Sequence, residues 1–582
     1  MKKYTADFET TTDEKDCRVW AYAICEIGGS FQVSYGNSIE DFINVCKDKK
    51  SNDVYYFHNL RFDGSYILYY LLTNGYTWIK NKKMRKDNTF TTLISNTGNF
   101  YSIEVYFEVK GKKVNKVTFY DSLKILNFTV DKIAKDFNLI TDDGSELRKL
   151  KIDYHEKREI GHELTSEEKD YIKADVLIMA KALNIMFNEG LTKMTIGSDA
   201  INYYKKINTN FNSYFPILNT EVDLEIRKSY KGGWTFLSDK YKEKTVKNGI
   251  VIDKNSMYPS HMKFDILPFG EPIKFDGKYK DNRSYPLYIQ YISCSFKLKK
   301  GKLPSIQLKN NPSFMPTEYL SSSNDEIVTL CLTSVDLELF FMQYEVFNIE
   351  YLGGYMFKGI KGLFTSYIDY WMGKKNEAKK EDNGALYQIA KLMLNSLYGK
   401  FGLNPITRSK EPYIKDDVLK FNILDKEERD PIYVALASFV TAYSRKDIIL
   451  TSQKIRDYTL EKYKKDYYIY SDSDSIHMLK MSDEELKEII DIDDYRLGAY
   501  KIESSFKKGA FIRQKCYIEE GNDGIIKTTI AGLPKRLGKY INFNNFKKGL
   551  RVLGDEVDEP KLRYKQVKGG VLLVKTDFSI KD

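Results

Sequence analysis

Residues 466–477 read Asp466-Tyr-Tyr-Ile-Tyr-Ser-Asp472-Ser-Asp474-Ser-Ile-His477. Apolar and aromatic residues run up to a D-x-D step and resume behind it, the pattern of a hairpin with two acids at its tip. Strand periodicity puts Asp472 and Asp474 on one face. Far upstream, Gly249-Ile-Val-Ile-Asp253-Lys-Asn-Ser256-Met257-Tyr258-Pro259 is an apolar strand that delivers a carboxylate to its end and then breaks. Acids brought together from distant strands on a sheet suit phosphoryl transfer, which needs cation charge on the phosphates and in-line geometry. A third stretch, Lys391-Leu-Met-Leu-Asn395-Ser-Leu-Tyr398-Gly399, is helical. There Lys391, Asn395 and Tyr398 share a face and offer a cation, an amide and an aromatic ring. Each stretch has an ordinary structural explanation alone; their fixed order does not.

The rest of the chain sets the frame. With 582 residues it is too long for one core and predicts several domains. Hydrophobic residues at 42% and charged residues at 30% exclude long disorder. A net charge of +10 suits a polyanionic partner, and 45 Tyr with 33 Phe supply rings for base stacking as well as for cores. The six cysteines are scattered, with no C-x-x-C pair, which excludes a disulfide framework and a structural zinc site and fits a reducing compartment. No secretory leader and no long apolar run is present, so a cytoplasmic protein, neither secreted nor membrane-bound, is expected.

The N-terminus carries a second acidic group. In Tyr4-Thr-Ala-Asp7-Phe-Glu9 the acids lie two apart on a predicted strand, with Ala6 and Phe8 turned to the core. Asp63 follows in Tyr56-Phe-His58-Asn59-Leu-Arg-Phe62-Asp63-Gly, and Tyr171 and Asp175 share a face of a predicted helix over 166–188. Four acids and a tyrosine suit two Mg²⁺ ions about 3.5–4 Å apart, one generating hydroxide and one stabilising a leaving oxygen, with Tyr171 orienting the water.

These elements resemble the 3′–5′ exonuclease of the DEDD superfamily, and D-x-x-S-M-Y-P, K-x-x-x-N-S-L-Y-G and Y-S-D-S-D-S resemble motifs A, B and C of family B DNA polymerases. The chain is most similar to the protein-primed, phi29-like phage branch. The resemblance implies an α/β multidomain fold: a ribonuclease H-like 3′–5′ exonuclease (1–194), palm (195–264 and 431–536), fingers (362–401), thumb (537–582) and two insertions, terminal protein regions 1 (265–361) and 2 (402–430). It implies Asp7, Glu9, Asp63 and Asp175 as exonuclease metal ligands, with Lys149 assisting, although Lys151 is close by. It implies Asp253 and Asp474 as polymerase metal ligands with Asp472 in support, two Mg²⁺ per site and Mn²⁺ as a substitute. Tyr258, Lys391, Asn395 and Tyr398 would bind nucleotide. Tyr56, His58, Asn59, Phe62, Ser122 and Leu123 would hold a frayed 3′ strand, and Tyr230, Gly232, Gly233, Ser256, Thr441, Arg445, Lys515 and Tyr517 would contact template or primer.

The partners so implied are template-primer DNA, deoxynucleoside triphosphates and a terminal protein, engaged by a monomer. Three departures stand out: Met257 for leucine in motif A, Ser471 and Ser473 in motif C, and Tyr387 where relatives carry a second lysine. Lys374, Lys375, Lys379 and Lys380 lie just upstream as compensation. The basic stretch Lys297-Leu-Lys299-Lys300-Gly-Lys302 is expected to face a charged partner. Competing expectations are a family B polymerase that uses nucleic-acid primers, and an exonuclease whose C-terminal region only binds DNA.

Overall fold

The computed structural model describes residues 1–582 except Lys50, His155, Asn310 and Asp582. The strand Lys3–Thr10 shows how the first unit forms. Tyr4, Ala6 and Phe8 enter one core, where Phe8 meets Phe42 and Phe57 edge to face. The opposite face turns to the helix Ser166–Asn188, and Thr5 Oγ1 donates to the Val176 carbonyl at 2.7 Å. That helix begins at a reciprocal cap between Thr165 and Glu168, which satisfies two otherwise unpaired N–H groups. Eight strands form a mixed sheet in the order 33–36, 19–26, 3–10, 53–57, 113–121, 100–110, 89–94, 77–78.

A seven-stranded sheet forms the middle of the molecule, in the order 526–530, 516–521, 500–513, 244–254, 475–479, 468–472, 235–237. The apolar strand Lys244–Lys254 lies between two partners, which is why Ile250, Val251 and Ile252 are all buried. The long helix Val434–Tyr463 covers one face, where Ile448, Ile449 and Ile455 join Ile250, Ile252 and Trp234 in one core. Truncating Ile252 to alanine there would cost about 2–5 kcal/mol.

The segment 265–361 forms a four-stranded antiparallel sheet. It also holds the helix Ser334–Gln343, which the reading of alternating strands did not anticipate. Thr333 caps it by accepting from Asp336 N, and Leu337, Leu339 and Phe340 bury its inner face. The helices Thr365–Lys380 and Gly384–Phe401 follow, then the hairpin of Lys410–Lys415 with Val418–Ile423. The last hairpin, Lys561–Val567 with Gly570–Thr576, returns to the N-terminal unit, where Tyr66 donates to the Val571 carbonyl at 2.6 Å. Gly569 is required in its turn: its φ is +93°, and a Cβ would lie 2.0 Å from the Cys17 carbonyl oxygen. All six cysteines are buried free thiols, and no described helix is long and apolar enough to cross a membrane.

Candidate active sites

The N-terminal acids converge from three elements. Asp7 and Glu9 leave one face of the first strand, Asp63 comes from the helix Leu60–Thr73, and Asp175 from the helix Ser166–Asn188. Asp63 Oδ1 accepts from Phe8 N at 3.3 Å, which locks the second helix to the strand between the two acids. Burial and then Asp175 push the Asp7 carboxyl up to about 7. Burial and Asp7 raise Glu9 and Asp63 well above the carboxylate range. Such mutual repulsion is what a bridging cation relieves. Asp175 Oδ1 is buried with no hydrogen-bond partner, as suits an oxygen that would ligate a metal. Lys149 forms an ion pair with Asp175, and Lys151 is exposed, so geometry favours Lys149 of the two. Tyr171 is bonded through its hydroxyl to Tyr154, a residue sequence reading missed because it lies in a loop without periodicity.

Asp121 was also missed. Buried at a strand end, its Oδ1 accepts from the backbone N–H groups of Asn59, Leu60 and Leu123 at 3.0, 3.3 and 3.1 Å. It thereby stabilises the turn in which Asn59 adopts φ +82°. His58 donates through Nε2 to the Phe128 carbonyl at 2.7 Å, and its Nδ1 lies 3.1 Å from Ser122 Oγ. Of the other expected strand contacts, Tyr56 is buried and packs with Tyr120 and Phe187, and Ser122 is buried beside His58. Asn59 and Phe62 stay at the surface of the site beside Tyr564 of the C-terminal hairpin. Asn59 Nδ2 donates to the Tyr564 hydroxyl at 2.9 Å, and the Arg61 guanidinium lies 4.5 Å from its ring centroid.

The second site is built by strand register. Asp253 stands opposite Ser475 on one side and Lys501 on the other, which brings it to the tip of the 468–479 hairpin. The D-x-D step differs from the expected alternation. Asp472 ends its strand, whereas Ser473 (φ +62°) and Asp474 form the turn, closed by Asp474 N donating to Asp472 O at 2.8 Å. A turn, not strand periodicity, therefore sets the spacing of the two acids. Burial and Asp253 push Asp474 up to about 6, and burial raises Asp253 although Lys501 lies 3.1 Å from its Oδ2. Asp472 faces Lys515 Nζ at 3.5 Å and Thr235 Oγ1 at 3.4 Å instead. No three acidic, histidine or cysteine groups enclose a metal among the described residues. A pair of carboxylates nevertheless suits Mg²⁺, which retains waters and takes substrate phosphates as further ligands.

Around these acids, Tyr258 stacks on Tyr398 at 4.1 Å, while Lys391 and Asn395 are exposed on the same helix face. Of the four upstream lysines, Lys375 turns inward: its Nζ lies 3.5 Å from Ser256 Oγ and 5.9 Å from the Tyr387 ring. Burial, with Lys501 and Lys391 nearby, lowers it to about 8. It thus lies between Ser256 and Tyr387.

Gly233 is needed for close approach, since a Cβ would meet Ser473 Oγ at 2.7 Å and the Tyr258 hydroxyl at 3.2 Å. Gly232 is exposed, and Tyr230 lies half-buried against Gly402. Thr441 and Arg445 both find partners within the protein. Thr441 is buried and bonds back to the Ala437 carbonyl. Arg445 pairs with both Asp336 oxygens and donates to the carbonyls of Lys231 and Gly232, so it acts on the glycine loop. Tyr517 is likewise buried, stacked on Phe511 at 5.3 Å, whereas Lys515 is exposed.

A cleft of about 1010 Å³ opens between the central sheet and the 265–361 insertion, with Lys240, Lys242, Lys302, Arg456, Arg513 and Lys515 in its walls. Lys302 thus lines a cleft in which six basic residues outnumber Asp239, Glu318 and Asp466. Lys299 does not: it donates to the Phe341 carbonyl at 2.6 Å and caps the C-terminus of a helix.

Comparison with known proteins agrees with this geometry. Residues 45–491 match the family model for DNA polymerase type B, organellar and viral. The chain is 44% identical to the DNA polymerase of Bacillus phage M2 over all of both chains. It is 40% identical to that of Bacillus phage phi29, covering all of this chain and 99% of the relative. A solved phi29 DNA polymerase complexed with primer-template DNA and incoming nucleotide superimposes with a TM-score of 0.90 at 40% identity, with full coverage of both.

Proposed function

Since the chain belongs to the organellar and viral type B DNA polymerases and is a DNA-directed DNA polymerase of the phage type, we propose how its two acidic sites divide the work. Synthesis takes place at Asp253, Asp472 and Asp474. The observation that carries this is the register that sets Asp253 against Ser475, so that residues far apart in sequence present carboxylates at the same end of neighbouring strands. Asp253 and Asp474 hold Mg²⁺, which when bound polarises the triphosphate and the primer hydroxyl. Lys391 and Lys375 take the triphosphate's charge, Asn395 adds an amide, and the Tyr258–Tyr398 stack underlies the incoming sugar and base. Lys515 approaches the primer strand from the exposed turn beside Asp472. Gly232, Gly233, Tyr230 and Ser256 line the template side.

Degradation from the 3′ end takes place at Asp7, Glu9, Asp63 and Asp175. These carboxylates would hold a divalent metal, which would supply an activated water; Tyr171, steadied by Tyr154, orients that water, and Lys149 balances the charge that Asp175 carries. His58, Asn59, Phe62 and Leu123 receive the unpaired strand. The domain limits given above describe this division, with 1–194 as exonuclease and the palm, fingers, thumb and two insertions completing the polymerase.

Terminal-protein priming is supported by the insertion between motifs A and B, which folds as a separate sheet beside a basic cleft. In this reading a single chain copies a linear phage-type genome in the host cytoplasm, using Mg²⁺ or Mn²⁺. The test has two arms. Asp253→Ala or Asp474→Ala abolishes deoxynucleotide incorporation and spares 3′–5′ degradation, and Asp7→Ala with Asp63→Ala does the reverse; loss of both activities from one pair in a folded protein defeats the assignment. Incubation with a candidate terminal protein and labelled dATP yields labelled protein if priming is protein-based; extension of DNA primers alone points to ordinary priming.

A further inference from the structure

Behind the polymerase site lies a buried ionic cluster that none of these roles uses. Asp447, on the helix Val434–Tyr463, faces both ends of the motif A turn. Lys254, the last residue of the strand that carries Asp253, forms an ion pair with Asp447 Oδ2. His261, on the helix Met257–Phe264, places Nε2 3.3 Å from the same oxygen, out of hydrogen-bond alignment. Its Nδ1 bonds Asp265 Oδ2 at 2.7 Å, and Tyr443 stacks on its ring at 6.3 Å. Thr451 Oγ1 donates to Asp447 Oδ1 at 3.3 Å, and the Tyr500 ring lies 5.0 Å from the Lys254 ammonium. The three charged side chains are only 10–20% exposed. Burial opposes ionisation of Asp447, but His261 and Lys254 outweigh it and hold the carboxyl down at about 2.

Between Lys254 and His261 the chain passes through a strained turn. Ser256 adopts φ +49° and no side-chain bond caps the helix it begins. A non-glycine residue in that region costs on the order of 1–3 kcal/mol and persists only where its surroundings hold it. Asn255 supplies part of the hold, through Nδ2 to the Asp493 carbonyl at 2.7 Å and N to the Ala499 carbonyl at 2.9 Å. The cluster around Asp447 supplies the rest, because it grips the strand before the turn and the helix after it. The turn in turn sets Asp253 relative to the ring of Tyr258.

We propose that Asp447 is a positioning residue for nucleotide selection, fixing the distance between Asp253 and the Tyr258–Tyr398 stack through its hold on Lys254 and His261. The inference rests on the reading of Asp253 and Tyr258 as polymerase-site residues. An ion pair that merely stabilised the fold would change thermal stability and leave substrate handling alone.

The experiment is steady-state single-nucleotide incorporation by the full-length chain on primed template, with deoxy- and ribonucleotides in parallel. Asp447→Asn is expected to raise KM for deoxynucleotide about 10-fold, change kcat by less than about 3-fold, and narrow the discrimination against ribonucleotides. Asp447→Glu should recover part of the loss. Lys254→Met should move the same parameters in the same direction, and it serves where Asp447→Asn does not fold. In the double variant Lys254→Met with Asp447→Leu, the thermal midpoint should recover, because no lone buried charge remains, while KM stays raised. A lowered midpoint with KM and discrimination as in the parent protein overturns the proposal, as does loss of kcat at unchanged KM. Asp253→Ala checks the underlying reading separately: if it still incorporates nucleotide, that reading fails whatever Asp447 does.

Discussion

Replacing Asp7 by asparagine should make the metal-free protein more stable while destroying the site. Asp7 is raised from 3.8 to about 7 by burial and by Asp175. At about 1.4 kcal/mol per pKa unit, the full rise corresponds to roughly 4 kcal/mol. The sign follows from linkage. The folded carboxyl holds its proton more tightly than the unfolded one, so the associated stability is fully present below the unfolded value of 3.8 and is lost as pH rises through about 7. Near neutral pH and above, the chelated protein therefore pays for an unbalanced charge. Asp7→Asn removes that charge and relieves Glu9 and Asp63, both raised in part by Asp7. Because the carboxyls titrate as a group, a single substitution recovers only part, about 1–3 kcal/mol.

For a unit of about 190 residues, 1 kcal/mol shifts the midpoint by roughly 2–4 °C, so a rise of about 3–10 °C is expected in chelator at alkaline pH. At acidic pH, where the carboxyl is protonated in both states, the difference should vanish. Excess Mg²⁺ should reverse the order: the parent chain gains about 2.7 kcal/mol at one hundred times the dissociation constant, and Asp7→Asn gains far less. Scanning calorimetry with and without metal, beside degradation of a labelled single strand, reads all of this. A variant that is less stable than the parent in chelator at alkaline pH, or that keeps the full Mg²⁺ gain, refutes the reasoning.

With the ring stacked on Tyr398 and proposed to underlie the incoming sugar, Tyr258→Val should raise ribonucleotide incorporation far more than it alters deoxynucleotide use; an unchanged ratio in competition assays removes that role. Lys375, lowered to about 8, should lose its charge as pH rises through that value, so kcat/KM for deoxynucleotide should fall above about pH 8. Lys375→Met should be weaker by about 10-fold at neutral pH and should flatten that limb of the profile. Tyr564→Phe, which deletes only the hydroxyl bonded to Asn59, should slow single-strand degradation by about 2–10-fold and leave single-nucleotide incorporation unchanged, as measured on the same preparation.

What could be read from the sequence was whatever repeats over a short distance. Period-2 spacing placed Asp7 and Glu9 on one face, and i, i+4 spacing placed Tyr171 with Asp175, because those relations belong to a single strand or helix. The same rule misread Asp472 and Asp474: a left-handed serine turns the chain between them, and nothing in Ser473 announces φ +62°. The helix Ser334–Gln343 escaped notice because Leu337, Leu339, Phe340 and Phe341 do not separate into one apolar stripe. Asp121 and Tyr154 were illegible as site residues, and Lys375 could not be told from Lys374, Lys379 and Lys380, for a different reason. Their partners lie on other elements, and no local pattern encodes a contact between distant segments.

Motif resemblance crosses that distance, but it transfers residue types without their surroundings. Thr441 and Arg445 fall where strand contacts are expected, yet one is bonded into its own helix and the other has its guanidinium spent on Asp336 and two backbone carbonyls. A fully paired, buried guanidinium cannot also bind a phosphate without leaving Asp336 uncompensated, which is strongly destabilising for a buried pair. What the guanidinium holds, besides Asp336, is the Lys231–Gly233 loop. There, Gly233 leaves no room for a side chain between the Asp472–Asp474 turn and Tyr258. The glycines and the arginine are accordingly one device: the arginine fixes the loop, and the missing side chain lets that loop lie against the Asp472–Asp474 turn.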